Sequence, residues 1–176
     1  MNVAKAAILA VVALAGTAQA KVTLSEPGQA EIAYDLHVSA KAAGAYAAVV
    51  QPERWWDPDH TWSGDAKNLS LDARAGGCWC EALAQGGSVE HMRVVFVQPG
   101  KVLRLTGALG PLQSQPLTGV MTWSFKDDPD GGSTISFRYR FAGPLDAKEN
   151  GPPVVDAVLG EQVRRLQHYL ETGAPQ

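Results

Sequence analysis

The chain is poor in the residues that build metal and redox centres. It carries two cysteines, Cys78 and Cys80, and four histidines in 176 residues. That count excludes a disulfide-stapled miniprotein and a multi-thiolate zinc module. No G-x-S-x-G, no H-E-x-x-H and no phosphate-cradling glycine loop occurs. The nucleophile elbow, the zinc-protease helix and the nucleotide-binding turn are therefore missing, and no cofactor is called for. Basic runs are also missing, and the formal net charge is −3. A nucleic-acid partner needs a positive stripe and is not expected. Beyond the first twenty residues no apolar stretch approaches the roughly 20 residues that span a bilayer, so no stable membrane span is expected. Internal repeats and low-complexity linkers are absent.

What is present begins with a leader. MNVAK supplies a lysine, AAILAVVALAG an apolar run, and Ala18-Gln19-Ala20 a small-x-small cleavage pattern. Residues 1–20 read as a secretory signal peptide, which places the mature protein in a periplasmic or secreted setting. Removing them removes Lys5 and no acid, so −3 becomes −4. The remaining chain, 21–176, has about 156 residues and reads as a single domain. Such a chain buries close to 70% of its unfolded surface and needs no staple.

Residues 31–39 suit a first strand, and the Ala-rich 41–50 a short helix. Pro52 interrupts it, and PERWW suits a second short helix with proline in its first turn. DPDHTWSGD is loop by composition. Period-two segments follow at 69–74, 78–84, 89–97, 101–107, 118–126 and 133–141, separated by Gly, Pro and Asp clusters. Met121, Trp123 and Phe125 share one face, as do Ile135, Phe137, Tyr139 and Phe141. The last segment is an amphipathic helix. Pro152 and Pro153 open it, Val155, Leu159, Val163, Leu166 and Leu170 form its stripe, and Gly173 follows it. The class is α+β. About seven antiparallel strands form a curved sheet around a long C-terminal helix, with two short helices after strand one. One helix is narrow for so wide a sheet, so a cavity at one end is the expected by-product.

PERWWDP, ARAGGCWCEAL, PGKVLRL, the TWSF…GGSTISFRYRF hairpin and the helix VVDAVLGEQVRRLQHYLE carry a resemblance over nearly all of 21–176. In their order and spacing they resemble the superfamily of START domains, polyketide cyclases and birch-pollen-allergen-like proteins (SRPBCC), with the helix-grip fold. The resemblance implies a hydrophobic cavity between sheet and terminal helix that takes apolar small molecules or lipids. Some relatives are cyclases and many are binders or carriers, with no shared catalytic motif. The leader sets this chain apart from mostly intracellular relatives and speaks against a cytosolic role.

Four of the five tryptophans, Trp55, Trp56, Trp62 and Trp79, fall within twenty-five positions. A large apolar face with one N–H donor suits a pocket wall or mouth. The plainer reading has Trp55 or Trp56 stapling the short helix to the sheet. Trp123, Phe137 and Tyr139 on the last strands, and Leu159 and Val163 on the helix stripe, would complete the wall. Leu109 and Leu112, in the Gly/Pro-punctuated loop 107–113, would sit at the mouth.

Glu81 shares a face with Trp79. Among apolar groups it could orient a polar ligand head or move a proton, or it could be a paired structural carboxylate. Register decides. A two-residue Gly86-Gly87 turn puts Glu81 opposite Met92, fills the wall with Trp79, Leu83, Met92, Val94 and Phe96, and turns His91 outward. A loop one residue longer puts Glu81 opposite His91 and Trp79 opposite Arg93. The first register is favoured because it fills the wall with apolar groups. His60, beside Asp57 and Asp59, is a second candidate base.

Cys78 and Cys80 share the face opposite Trp79. Two residues along a regular strand span about 6.5–7 Å, at or past the upper limit for a relaxed disulfide, with parallel Cβ vectors, so an internal bond would need a bent strand. Two thiolates with His91 fall short of a zinc site. The favoured role is two small packing residues, with a strained or intermolecular disulfide the alternative. Three functions follow. The first is an exported carrier of an apolar or lipid-like molecule. The second is a cyclase, isomerase or hydrolase using Glu81 with His91 or His60. The third is an interaction module, with the cysteines at a homodimer face.

Overall fold

The computed structural model describes residues 21–145 and 151–175; the proposed leader, residues 1–20, lies outside them. The elements in chain order are strands β1 (Lys21–Glu26) and β2 (Gln29–Val38), helix α1 (Ala42–Val49), strands β3 (Leu69–Leu71), β4 (Cys78–Ala82), β5 (Ser88–Gln98), β6 (Val102–Thr106), β7 (Thr118–Asp127) and β8 (Ser133–Ala142), and helix α2 (Pro152–Thr172). The strands form one antiparallel sheet in the order β1-β2-β8-β7-β6-β5-β4-β3. This is the α+β helix-grip arrangement, a curved, unclosed sheet partly wrapped around a long C-terminal helix.

Two details differ from the sequence reading. An extra N-terminal strand, β1, makes eight; Gly28 at φ 79° closes its tight turn into β2. The second short helix shrinks to a single 3-10 turn, Pro52–Arg54, because Trp55 and Trp56 leave it to enter the core.

Strict alternation in β7 and β8 stacks Met121 on Tyr139, Trp123 on Phe137 and Phe125 on Ile135, all buried on the inner face. The stripe of α2 lies on β1 and β2 and touches α1. Val155, Leu159, Val163 and Leu166 are each at most 8% exposed. Four such side chains at about 1.5–3 kcal/mol apiece match the whole net stability of a typical domain, so α2 is integral to the fold. Its seat on β2 is close. Tyr34 Oη donates to Asp156 Oδ1 at 2.5 Å, and a Cβ on Gly160 would lie 2.7 Å from that same Oη. Near the other end, Ser39 N and Oγ both donate to the Glu171 carboxylate at 2.8 Å.

Candidate functional site

The site grows from the segment that follows α1. Proline at 52 and 58 forces short 3-10 turns, and buried donors and acceptors fix their path. The Trp55 indole N–H donates to Ala48 O at 2.9 Å, and that of Trp56 to His60 O at 3.0 Å. From α2, Arg165 Nε donates to Trp55 O at 3.1 Å, and Gln162 Oε1 accepts from Asp57 N at 2.8 Å. The segment is thereby nailed to both helices. Its rings run into the sheet as one seam. Trp123 meets Phe137 at 4.5 Å between centroids and Trp55 at 6.4 Å; Trp55 meets Trp56 at 5.5 Å, and Trp56 meets Trp79 edge-on at 5.0 Å.

Beyond Trp56 and Trp79 the packing opens into a cavity of about 340 Å³. Its walls are Trp56, Trp79, His91, Leu69 and Tyr139, the loop residues Leu109–Leu112, and Val154, Val155, Val158 and Leu159 of α2; Asp59, His60, Thr61 and Trp62 close the remaining side. The volume falls at the small end of the roughly 300–1,000 Å³ typical of small-molecule sites, and the wall is mostly apolar, as such sites are. Trp62 is 57% exposed and stands at the mouth. Tyr139 needs the glycine facing it, because a Cβ on Gly119 would lie 2.6 Å from its ring. Its hydroxyl accepts from Leu109 N and donates to Gly107 O, both at 3.3 Å, and burial pushes its pKa up to about 12.

The β4–β5 pairing follows neither expected register. Ala82 pairs with Ser88 across a five-residue turn, Glu81 with Val89 and Cys80 with Glu90; the ladder then jumps, so Trp79 pairs with Met92 and Cys78 with Arg93. His91 is the extra residue of a β-bulge, and both it and Met92 face inward, 6% and 1% exposed. The bulge corrects the expectation that His91 points outward. A second irregularity between Val94 and Phe96 turns Phe96 out of the inner wall. Phe96 is 46% exposed, beneath the Arg104 guanidinium.

The cysteines are settled as well. On β4, opposite the bulge, the Cα atoms of Cys78 and Cys80 stand 5.3 Å apart, and the two are joined as a disulfide. The favoured reading of two free packing residues is thus corrected. The strand bends where the pair needs it to, and 5.3 Å lies within the usual Cα range for a disulfide, about 4.4–6.8 Å.

Glu81 is fully buried, yet three donors converge on it. Ser63 N reaches Oε1 at 2.5 Å, Trp62 N reaches Oε2 at 3.2 Å, and His91 Nε2 lies 2.9 Å from Oε2. Burial works against its charge, but the hydrogen bonds from Ser63, Trp62 and His91 outweigh it and hold the carboxyl below its usual pKa. For His91 burial wins over the neighbouring carboxylate and lowers the pKa, so the ring is neutral at pH 7. An ionised carboxylate only accepts, so the His91 proton sits on Nε2 and leaves Nδ1 as a bare lone pair. Among the described residues, His91 Nδ1 and Trp79 Nε1 have no partner.

The candidate residues therefore separate. Trp56, Trp62, Trp79, His91, His60, Leu109, Leu112, Tyr139 and Leu159 line the cavity. Trp55, Trp123, Phe137, Val163, Met92 and Val94 are buried in the core outside its lining, and Glu81 stands behind His91. His60, partly exposed, has Nδ1 3.1 Å from Asp57 Oδ2. Sequence reasoning missed Leu69, Thr61, Val154 and Val158 as wall residues. The signal for the last two is the run VVDAV, whose apolar width exceeds the stripe that packs on the sheet. Among the described residues no group of three His, Cys, Asp or Glu side chains is placed to hold a metal ion, and no helix is long and apolar enough to cross a membrane.

No protein-family model matches the chain, and no curated protein matches it. Solved structures do. Protein CV1439 from Chromobacterium violaceum is 21% identical, with 80% of this chain and 96% of that one covered, at a TM-score of 0.55. CalU16 from Micromonospora echinospora is 14% identical, with 92% and 88% covered, at 0.57. DynU16, a protein of the dynemicin biosynthetic locus, is 20% identical, with 82% and 48% covered, at 0.53. At these identities the likeness shows a shared fold, the curved sheet with its C-terminal helix.

Proposed function

We propose that the protein is an exported binder of an apolar or lipid-like small molecule held between the sheet and α2, and that it is a START/polyketide-cyclase-like (SRPBCC) protein. The observation that carries the reading is the cavity of about 340 Å³, walled by aliphatic side chains and faced by three indoles. Export rests on the leader sequence, and the Cys78–Cys80 disulfide suits an oxidising compartment. One fold neighbour belongs to a biosynthetic locus, in keeping with small-molecule cargo. Isothermal titration with naphthalene and with decanol tests it. Saturable binding to the wild type is expected, with weakened binding in Val158→Trp, whose indole intrudes into the cavity from α2. Binding that survives Val158→Trp undiminished places the ligand elsewhere and refutes the reading.

A second reading is favoured by one contact, the 2.9 Å approach of Glu81 to His91 on the cavity wall. A neutral imidazole backed by a carboxylate is the composition of a general base. On this reading the wild type, and not His91→Phe, exchanges the acidic C–H protons of 2-tetralone with D₂O. Equal exchange by both proteins removes His91 as the base.

A further inference from the structure

We propose that Trp79 and His91 form a polar subsite in the cavity wall that selects an apolar molecule bearing a single hydroxyl or undissociated carboxylic acid. The proposal rests on reading the cavity as a binding site and adds the chemistry of its guest.

Both residues line the cavity, are at most 6% exposed, and have ring centroids 5.8 Å apart. Each keeps one polar atom unpartnered among the described residues, the Trp79 indole N–H and His91 Nδ1. A buried donor or acceptor left unpaired is costly, and native proteins rarely leave one on each of two neighbouring rings without reason. The two atoms are also complementary. The indole N–H can only donate. The Glu81 carboxylate, already taking N–H groups from Trp62 and Ser63, fixes the His91 proton on Nε2, so Nδ1 can only accept. A hydroxyl does both at once, accepting from Trp79 and donating to His91. An ether satisfies Trp79 alone. A carboxylate would meet a lone pair with the negative Glu81 behind it. Tyr139 does not compete, since its hydroxyl is already engaged with Gly107 and Leu109.

Titration calorimetry with 2-naphthol, 2-methoxynaphthalene and naphthalene tests the subsite. The wild type is expected to prefer 2-naphthol to 2-methoxynaphthalene about tenfold, the worth of one buried hydrogen bond. Trp79→Phe, which removes the N–H together with part of the wall, is expected to weaken both ligands, with 2-naphthol losing about tenfold more than naphthalene. Equal affinities of the naphthol and its ether, or equal losses of naphthol and naphthalene in Trp79→Phe, overturn the subsite and leave the cavity reading standing. If none of the three binds, the cavity reading itself fails. A measurement on the unmutated protein guards against misfolding. The ¹⁵N resonance of His91 Nδ1 should move on adding 2-naphthol and stay put with naphthalene; no movement with 2-naphthol overturns the proposal.

Discussion

Glu81→Gln changes one atom and separates the two duties that Glu81 performs, holding the mouth loop and setting the proton on His91. The glutamine oxygen can keep the Ser63 N–H that Oε1 accepts at 2.5 Å. Its NH₂ then stands where Oε2 faced Trp62 N at 3.2 Å and His91 Nε2 at 2.9 Å. The Trp62 amide loses its acceptor and meets another donor, for about 1–3 kcal/mol. His91 has an escape, because moving its proton to Nδ1 lets Nε2 accept from the new amide. The stability loss therefore stays near that of one backbone hydrogen bond. For a domain of this size about 2–4 °C accompanies each kcal/mol, so a thermal melt should fall by about 2–12 °C. The larger consequence is for ligands. With a proton on Nδ1 the subsite presents two donors, and the order of 2-naphthol and 2-methoxynaphthalene should reverse in titration calorimetry. A variant that melts lower but keeps the wild-type order would refute the assignment of the His91 tautomer to Glu81. An unchanged melt would refute the hold of Glu81 on the loop.

Acid should weaken the fold in two steps. The His91 pKa lies below its ordinary 6.5 in the folded protein, so below that pH the unfolded chain takes up a proton the native state refuses, and stability falls. The Glu81 pKa lies below 4.5, so its contribution is present above that value and is lost as pH drops through the folded one. Urea midpoints at pH 7.5 and 5.5 should differ less in His91→Phe than in the wild type; an equal difference in both contradicts the first step. Replacing Cys78 and Cys80 by Ser removes a very short loop closure, worth about 1–2 kcal/mol, but frees β4 to regain the roughly 6.5–7 Å spacing of a regular strand. Hydrogen exchange should quicken at His91 and Met92, and 2-naphthol affinity should drop; unchanged exchange there would show that the bulge stands without the disulfide. Gly160→Ala gains helix propensity of about 1 kcal/mol yet sets a Cβ 2.7 Å from Tyr34 Oη, so a net loss of about 1–2 kcal/mol is expected in denaturation. A stabilised variant would mean that α2 does not sit on β2 as described.

The helix-grip fold was legible because its long elements repeat their signal. The Met121, Trp123, Phe125 face and the Val155-to-Leu166 stripe each point the same way over several turns or residues, and each is buried as its period requires. The chemistry at β4–β5 was not legible from a period, because a bulge is a single inserted residue whose placement depends on what packs above it. Strict alternation sends His91 and Met92 to opposite faces; the structure buries both. A local clue exists all the same. Glu90 and Arg93 are three apart, which alternation would put on opposite faces, yet they pair on the outer one. Two outward charges enclosing two inward residues mark the bulge, and the Cys78–Cys80 disulfide lies directly across from it on β4. One inserted residue thus places the imidazole on the cavity wall, hands its Nε2 to Glu81, and leaves Nδ1 unpartnered. The sheet and helix supply an apolar hollow, and the irregularity, against the regular period, supplies the polar feature by which the hollow could tell one apolar molecule from another.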